Sequence, residues 1–184
     1  DVTGASTVVA DLAGEKVADL LLINDRDLSY AKLRFDDRSI ATLKTHLGKL
    51  DDALARSLCW AAIWDMHRDA QISSADFIEI ALNGLAGESD DAIVKIVLSQ
   101  LTTSVEAYSK EANRNSYREK LADGLWALTQ NSKPGSDLQL LISRAFALNA
   151  QTEAQTANIR ELLNGAAQGL KVDADLRWYF LIAL

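Results

Sequence analysis

The sequence predicts a mainly α fold, a HEAT-like array of antiparallel helix hairpins preceded by a short β segment, and three observations carry that prediction. Alanine and leucine, the strongest uncharged helix formers, supply 28 residues each of 184, against a single proline. Beyond Asp36, apolar residues recur three and four apart, the helical period, in one segment after another. Helix starts fall near residues 36, 73, 111 and 152, about 37 to 41 residues apart, which is the spacing of helix-pair repeats. No consensus letters recur, so the repeat is one of shape. Stacked hairpins of this kind give a curved sheet of helices with a concave face suited to covering or holding something.

Residues 1–36 have a different texture and are expected to be a β-strand remnant of a preceding β-sandwich domain. From Ser29 to Phe35, Ala31, Leu33 and Phe35 fall on one face and Tyr30, Lys32 and Arg34 on the other, the period of two of a half-buried strand. Leu20–Ile23 reads as its partner and Asn24–Asp27 as the joining turn. Two strands do not make a stable unit alone, so other strands of the sheet are expected elsewhere.

Residues 37–184 read as a helical repeat domain. Asp36 or Asp37 caps a first helix over Ile40, Leu43, Leu47 and Leu50. Asp51 or Asp52 caps the second, which is apolar almost all round from Leu58 to Trp64 and is therefore expected to be central and buried. Ser73, with Asp76 three residues on, starts a third through Phe77, Ile78, Ala81, Leu82 and Leu85, stopped at Gly87. Ser89 or Asp90 precedes a fourth carrying Ile93, Val94, Val97, Leu98, Leu101 and Val105; its length favours helix over strand despite the β-branched residues. Tyr117, Leu121, Leu125 and Leu128 define a fifth, closed by the Pro134-Gly135 breaker. Leu138, Leu141, Ile142, Ala145 and Leu148 mark a sixth, Thr152 with Gln155 starts a seventh, and Asp173 or Asp175 an eighth. The chain starts at Asp1 without Met and ends in the apolar run Trp178–Leu184, so it is expected to be an excised piece whose array is truncated at its C-terminus.

Charge and composition remove whole classes of function. Nineteen Lys and Arg against 26 Asp and Glu leave a net charge of −7, which makes nucleic acid a poor partner. No apolar run reaches the roughly 18 residues of a membrane helix and no basic region precedes an apolar stretch at the start, so no membrane partner and a cytoplasmic location are expected. One cysteine excludes an internal disulfide and a thiolate zinc cluster.

Self-contained chemistry finds little support. His46 and His67 lie 21 residues apart, outside any His-Glu-x-x-His pair, so no metal site is encoded; His46 reads as a helix-end residue and His67 as a packed, hydrogen-bonded one. Cys59 sits in the most apolar helix, where burial makes a thiol inert. Trp60 and Trp64, four apart, read as core, and Asp65, Arg68 and Asp69 as a modest ion network. The nine glycines form no phosphate loop and no Ser stands in Gly-x-Ser-x-Gly. Catalytic, cofactor-binding and metal residues are all expected to be absent. A hydrolase using His67 with Asp65 or Cys59 is the weakest alternative, and a helical-repeat scaffold for a protein partner the strongest.

Three stretches carry a resemblance. The run from Leu20 through Asn24-Asp-Arg-Asp27 and Tyr30 to Ser39, the run Leu58-Cys-Trp-Ala-Ala-Ile-Trp-Asp-Met-His-Arg-Asp69, and the late Asp175-Leu-Arg-Trp178 resemble the C-terminal region of the zinc-dependent M1 aminopeptidases, in the aminopeptidase N branch typical of actinobacteria. The resemblance implies a parent enzyme that releases N-terminal amino acids from peptides. In that family a zinc held by two His and a Glu activates water, a further Glu is general base, and a Gly-Ala-Met-Glu-Asn segment binds the free amino terminus. None of those motifs occurs here, so the zinc is expected in an upstream domain. This chain would form the helical bowl that covers and shapes the substrate cavity, packed on the catalytic and β-sandwich domains and inactive alone. Tyr30, Lys32 and Arg34 would support the interdomain joint.

Overall fold

The computed structural model describes residues 4–184. Eight α-helices account for most of it: α1 (Asp37–His46), α2 (Ala53–Arg68), α3 (Ser74–Leu85), α4 (Asp91–Thr103), α5 (Glu111–Asn131), α6 (Asp137–Asn149), α7 (Glu153–Leu163) and α8 (Ala174–Ile182). A single π-helical turn, Ser104–Tyr108, continues α4. Short 3-10 turns occupy Ala10–Leu12, Asp25–Asp27 and Leu47–Lys49.

The helix starts follow from side chains that reach the orphan N–H groups of the first turn. Asp36 accepts from the Ser39 amide, Asp52 from Ala55, Ser73 from Asp76 and Asp90 from Ala92 and Ile93. Ser136 accepts from Gln139, Asp173 from Leu176, and Thr152 with Gln155 closes a reciprocal capping box. Only α5 begins without a side-chain cap, behind Lys110.

The helices pack in two alternating rows. α1 lies on α3 and α3 on α5; α2 lies on α4, α4 on α6 and α6 on α8, while α5–α6, α3–α4 and α7–α8 pack as sequential pairs. One apolar core runs from Leu43 and Ile63 through Phe77, Ile80, Leu101 and Leu125 to Phe146 and Phe180, all buried. Burying a side chain of this size contributes about 1.5–3 kcal/mol each. Glycines let the turns on one side of the array touch. A Cβ on Gly48, after α1, would lie 2.6 Å from the Gly84 carbonyl, and one on Gly169, after α7, would lie 2.6 Å from the Gly135 amide nitrogen.

Two expectations are corrected. Among the described residues there is no β-strand: Leu20–Ile23 and Ser29–Phe35 are non-helical but form no ladder. The Asn24 side chain takes over the pairing instead, donating through Nδ2 to the Ser29 carbonyl at 2.8 Å and accepting through Oδ1 from the Ser29 amide at 3.0 Å. The period of two survives in part as a docking face, since Ala31, expected to face inward, is exposed. Leu20, Leu22 and Leu33 pack against the helical core and Phe35 is buried, while Leu21, Ile23 and Tyr30 are exposed. A strand needs a second edge, and within these residues the neighbour of the segment is a helix surface.

The second correction concerns α2, expected from its apolar run over residues 58–64 to be central and buried. Cys59, Trp60, Ala62, Ile63, Met66 and His67 are buried, but Leu54 and Ala61 are exposed and Leu58 and Trp64 only half-buried. Its outer side meets residues Asn24–Leu33 across a small cleft lined also by Leu58, Ala61 and Asp65. A helix at the end of an array has one side that no later helix covers.

Candidate functional site

Beginning with the residues that carry chemistry in the sequence, His67 closes the last turn of α2 and is buried. Its Nδ1 lies 3.0 Å from the Ile72 carbonyl, which can only accept, so Nδ1 carries the proton and bare Nε2 accepts from the Ser104 hydroxyl at 2.8 Å. Phe77 stacks on the ring at 4.8 Å, with Trp64 and Tyr108 at 5.7 and 5.5 Å. A hydroxyl, an imidazole and an orienting carbonyl stand in the order of a nucleophile, its base and the base's anchor. Ser104, however, is fully buried, so a substrate has no access. Burial pulls the His67 pKa below its ordinary value, against the opposing pull of the Ile72 bond.

Asp65 and Cys59, weighed as partners of His67, are not hydrogen-bonded to it. Cys59 is buried, and that burial pushes its thiol up to about 12, which leaves it inert. Asp65 lies 3.8 Å from Arg68 on the same helix. Asp69 instead joins the N-terminal segment to α2: Lys32 Nζ is 2.7 Å and Arg34 3.1 Å from its Oδ2. The Lys32 hydrogen bond holds the Asp69 carboxyl below its ordinary range. Phe35 adds a backbone N–H donated to Met66 Sδ at 3.3 Å. Tyr30 takes no part in this joint and is fully exposed. His46, at the end of α1, is exposed beside Thr45 Oγ1 at 2.7 Å.

Trp60 has a role that its aromatic spacing does not reveal. Its indole N–H donates to Glu88 at 3.0 Å, and Arg56 reaches the same carboxylate at 3.2–3.3 Å while donating to the Leu50 and Asp51 carbonyls. The amides of Ser89 and Asp90 also donate to Glu88. Burial pushes the Glu88 carboxyl up, yet Trp60, the Asp90 amide, Arg56 and the Ser89 amide together hold it below the usual carboxylate range. The cluster clamps the α3–α4 turn to the start of α2.

A groove of about 360 Å³ lies elsewhere, where α4, α6 and α8 meet. Lys95, Leu98, Ser99 and Thr102 on α4 face Leu141, Arg144, Ala145 and Leu148 on α6, two matched stripes at i, i+3, i+4 and i+7, with Tyr179 closing the end. Arg144 stands 5.5 Å from the Tyr179 ring centroid, a cation–π distance, and its buried Nε has no hydrogen-bond partner. Neither Lys95 nor Arg144 has an ion pair among the described residues, so an apolar floor is rimmed by two uncompensated cations. Leu148, read from spacing as a core position, is 65% exposed here. The doubled stripe on the fourth and sixth helices was the available signal, hidden because the same leucines also satisfy a core pattern.

Among the described residues no group of three His, Cys, Asp or Glu is placed to hold a metal, and no helix is long and apolar enough to cross a membrane. The chain matches the family described as ERAP1-like C-terminal domain over residues 20–184. Over 183 residues it is 38% identical to Aminopeptidase N of Streptomyces lividans, an alignment covering 98% of this chain and 21% of that protein. The chain thus spans about a fifth of the length of the curated relative it matches.

Proposed function

Since the chain belongs to the ERAP1-like C-terminal domain family, the C-terminal region of M1 aminopeptidases, we propose that its parent is a zinc-dependent aminopeptidase releasing N-terminal residues from peptides, and that this part walls the substrate cavity. The identity extending over nearly the whole chain is the observation that carries this reading. The residues present do not fit a zinc site, since His67 is committed to Ile72 and Ser104 and His46 stands apart at the end of α1. The metal and the hydrolytic step therefore belong, in this reading, to parts of the parent outside this chain. Its location is taken as cytoplasmic.

The array is read as HEAT-like, with the even-numbered helices forming the inner, substrate-facing wall. Support comes from the alternation of packing, α2 on α4, α4 on α6 and α6 on α8, and from the cationic, apolar-floored groove lying on that row. Residues 1–36 are assigned to the junction with a preceding β-sandwich and residues 37–184 to the helical bowl. The outward Leu21, Ile23 and Tyr30 supply the apolar surface for that sandwich, and the Asp69 ion pairs with Lys32 and Arg34 fix the joint. Packing on the catalytic domain would complete the cavity. The expected action of the wall is uniform binding of the peptide beyond the scissile bond: Lys95 and Arg144 attract carboxylates while Leu98, Leu141 and Leu148 cover apolar side chains.

Steady-state kinetics on the intact parent test this. Arg144→Ala should raise KM for peptides of eight or more residues about tenfold and leave turnover of a single aminoacyl chromophore unchanged, the signature of lost uniform binding. A chelator should abolish both activities. Chelator-sensitive cleavage by the 184-residue chain alone would contradict the assignment.

A further inference from the structure

The His67–Ser104 pair bridges α2 to the π-helical turn, whose closing residue Tyr108 also contacts the ring. Three features set this bridge apart. Single π turns are rare and less regular than the helices they interrupt, and they recur where a helix has a task beyond packing. Besides the imidazole, side chains hold Ser104 through Ser109 at three points: Ser109 Oγ donates to the Ser104 carbonyl at 2.9 Å, Ser74 Oγ to the Tyr108 carbonyl at 3.4 Å, and the half-exposed Glu106 accepts from Arg118 of α5 at 3.0 Å, away from the ring. The side chains facing the ring, Trp64 on α2, Phe77 on α3 and Ser104 and Tyr108 on the turn, include no carboxylate. Tyr108 is the one titratable group among them. The charged residues next along the chain are engaged elsewhere, Arg68 with Asp65 and Asp69 with Lys32 and Arg34.

We propose that His67 and the π turn form an acid-sensitive latch, in which protonation of the ring releases residues 104–109 from the α2–α3 end and loosens the C-terminal end of α4. The bare Nε2 is the acceptor that the Ser104 hydroxyl uses. Once Nε2 carries a proton, that hydroxyl must turn its hydrogen away within a fully buried site, and an imidazolium lies among aromatic rings without a carboxylate. Opening the turn brings the ring to water and relieves both costs. Because α4 also carries Ser99 and Thr102, the groove between α4 and α6 feels the change. Nothing in this latch depends on the aminopeptidase reading. The sign follows from linkage: a His whose folded pKa lies below 6.5 contributes stability that is full above that value and is lost as pH falls below it.

A titration of the full chain tests the latch, with the His67 ring followed by NMR and the amides of Val105–Ser109 by hydrogen exchange from about pH 7.5 to about pH 5. The turn should exchange several-fold faster at the acid end after correction for intrinsic rates, while α7 is unaffected. His67→Gln, which accepts from Ser104 without titrating, should abolish the pH dependence; Ser104→Ala should give fast exchange of the turn at both ends. Protonation of the ring with the turn still protected overturns the proposal, as does a ring that stays neutral until the whole chain unfolds. Should His67→Gln fail to fold, co-titration of ring and turn in the unaltered chain decides alone.

Discussion

The first four helices and the last four are held by the same devices built from different chemistry. Near the start of α2, the Glu88 carboxylate clamps the α3–α4 turn through Arg56, Trp60 and two backbone amides. In the second half the corresponding clamp is Gln139, which accepts from the Gly135 amide and donates to the Thr129 and Gln168 carbonyls. The third residue of α3, Asp76, reaches back to Lys44 of α1 at 2.5 Å; the third residue of α7, Gln155, reaches back to Glu119 and Asp123 of α5. Ala70 ends α2 at φ +58°, and Gly165 follows α7 at φ +81°. A buried link thus needs satisfied donors and acceptors rather than a particular charge, but its charge decides how it responds to pH and salt.

The largest expected effect comes from breaking the charged clamp. Glu88→Ala leaves a buried guanidinium, an indole N–H and two amides without their acceptor, and should cost about 3–5 kcal/mol in chemical denaturation. Gln139→Ala strands neutral groups only and should cost about 1–3 kcal/mol. Equal losses would erase the distinction between the halves.

Acid sharpens the same contrast. Trp60, Arg56 and two amides outweigh burial at Glu88, and Lys44 holds Asp76 down, so both folded values lie below the ordinary 4.5 and 3.8. Their contribution is complete above those ordinary values and disappears as pH falls through the lower, folded ones. Hydrogen exchange below about pH 4.5 should therefore show the α3–α4 turn losing protection before the α5–α6 turn held by Gln139. Simultaneous loss would count against separate charged and neutral clamps.

Smaller effects are expected at the surface links and helix ends. Asp76→Asn should cost about 0.2–1 kcal/mol, and less in high salt, because the Lys44 pair is partly exposed. Gln155→Ala should show a loss independent of salt. At the helix ends, Ala70→Gly should stabilise by up to about 1 kcal/mol and Gly165→Ala destabilise by about 1 kcal/mol, since only glycine enters that backbone region without cost. A thermal shift of the same sign for both would break the parallel.

Much of the architecture was legible in the amino-acid order, and the reason is distance along the chain. Asp36, Asp52, Ser73, Asp90, Thr152 and Asp173 announce six helix starts because each cap bonds an amide two or three residues on. The inward side of Leu33 and Phe35 was legible for the same local reason, although Ala31, read on that face, is exposed; that the segment would meet helices rather than form a ladder was not, because the surface it meets is made by other segments. Leu148 shows the limit from the other side, since its spacing fits the core stripe of α6 and its 65% exposure depends on how far α6 is rotated against α4.

By itself, then, the sequence determined eight helices, six of their caps, an acidic surface and the family resemblance, all properties of short stretches read in place. Only the tertiary structure decided which residues meet. His67 finds Ser104 thirty-seven positions away, Glu88 gathers Arg56 and Trp60 from another helix, and Lys95 comes to face Arg144 across a groove. Such meetings depend on helix rotation and on the close approach of turns at Gly48 and Gly169, which are set by packing the whole array at once and leave no periodic trace in any one segment.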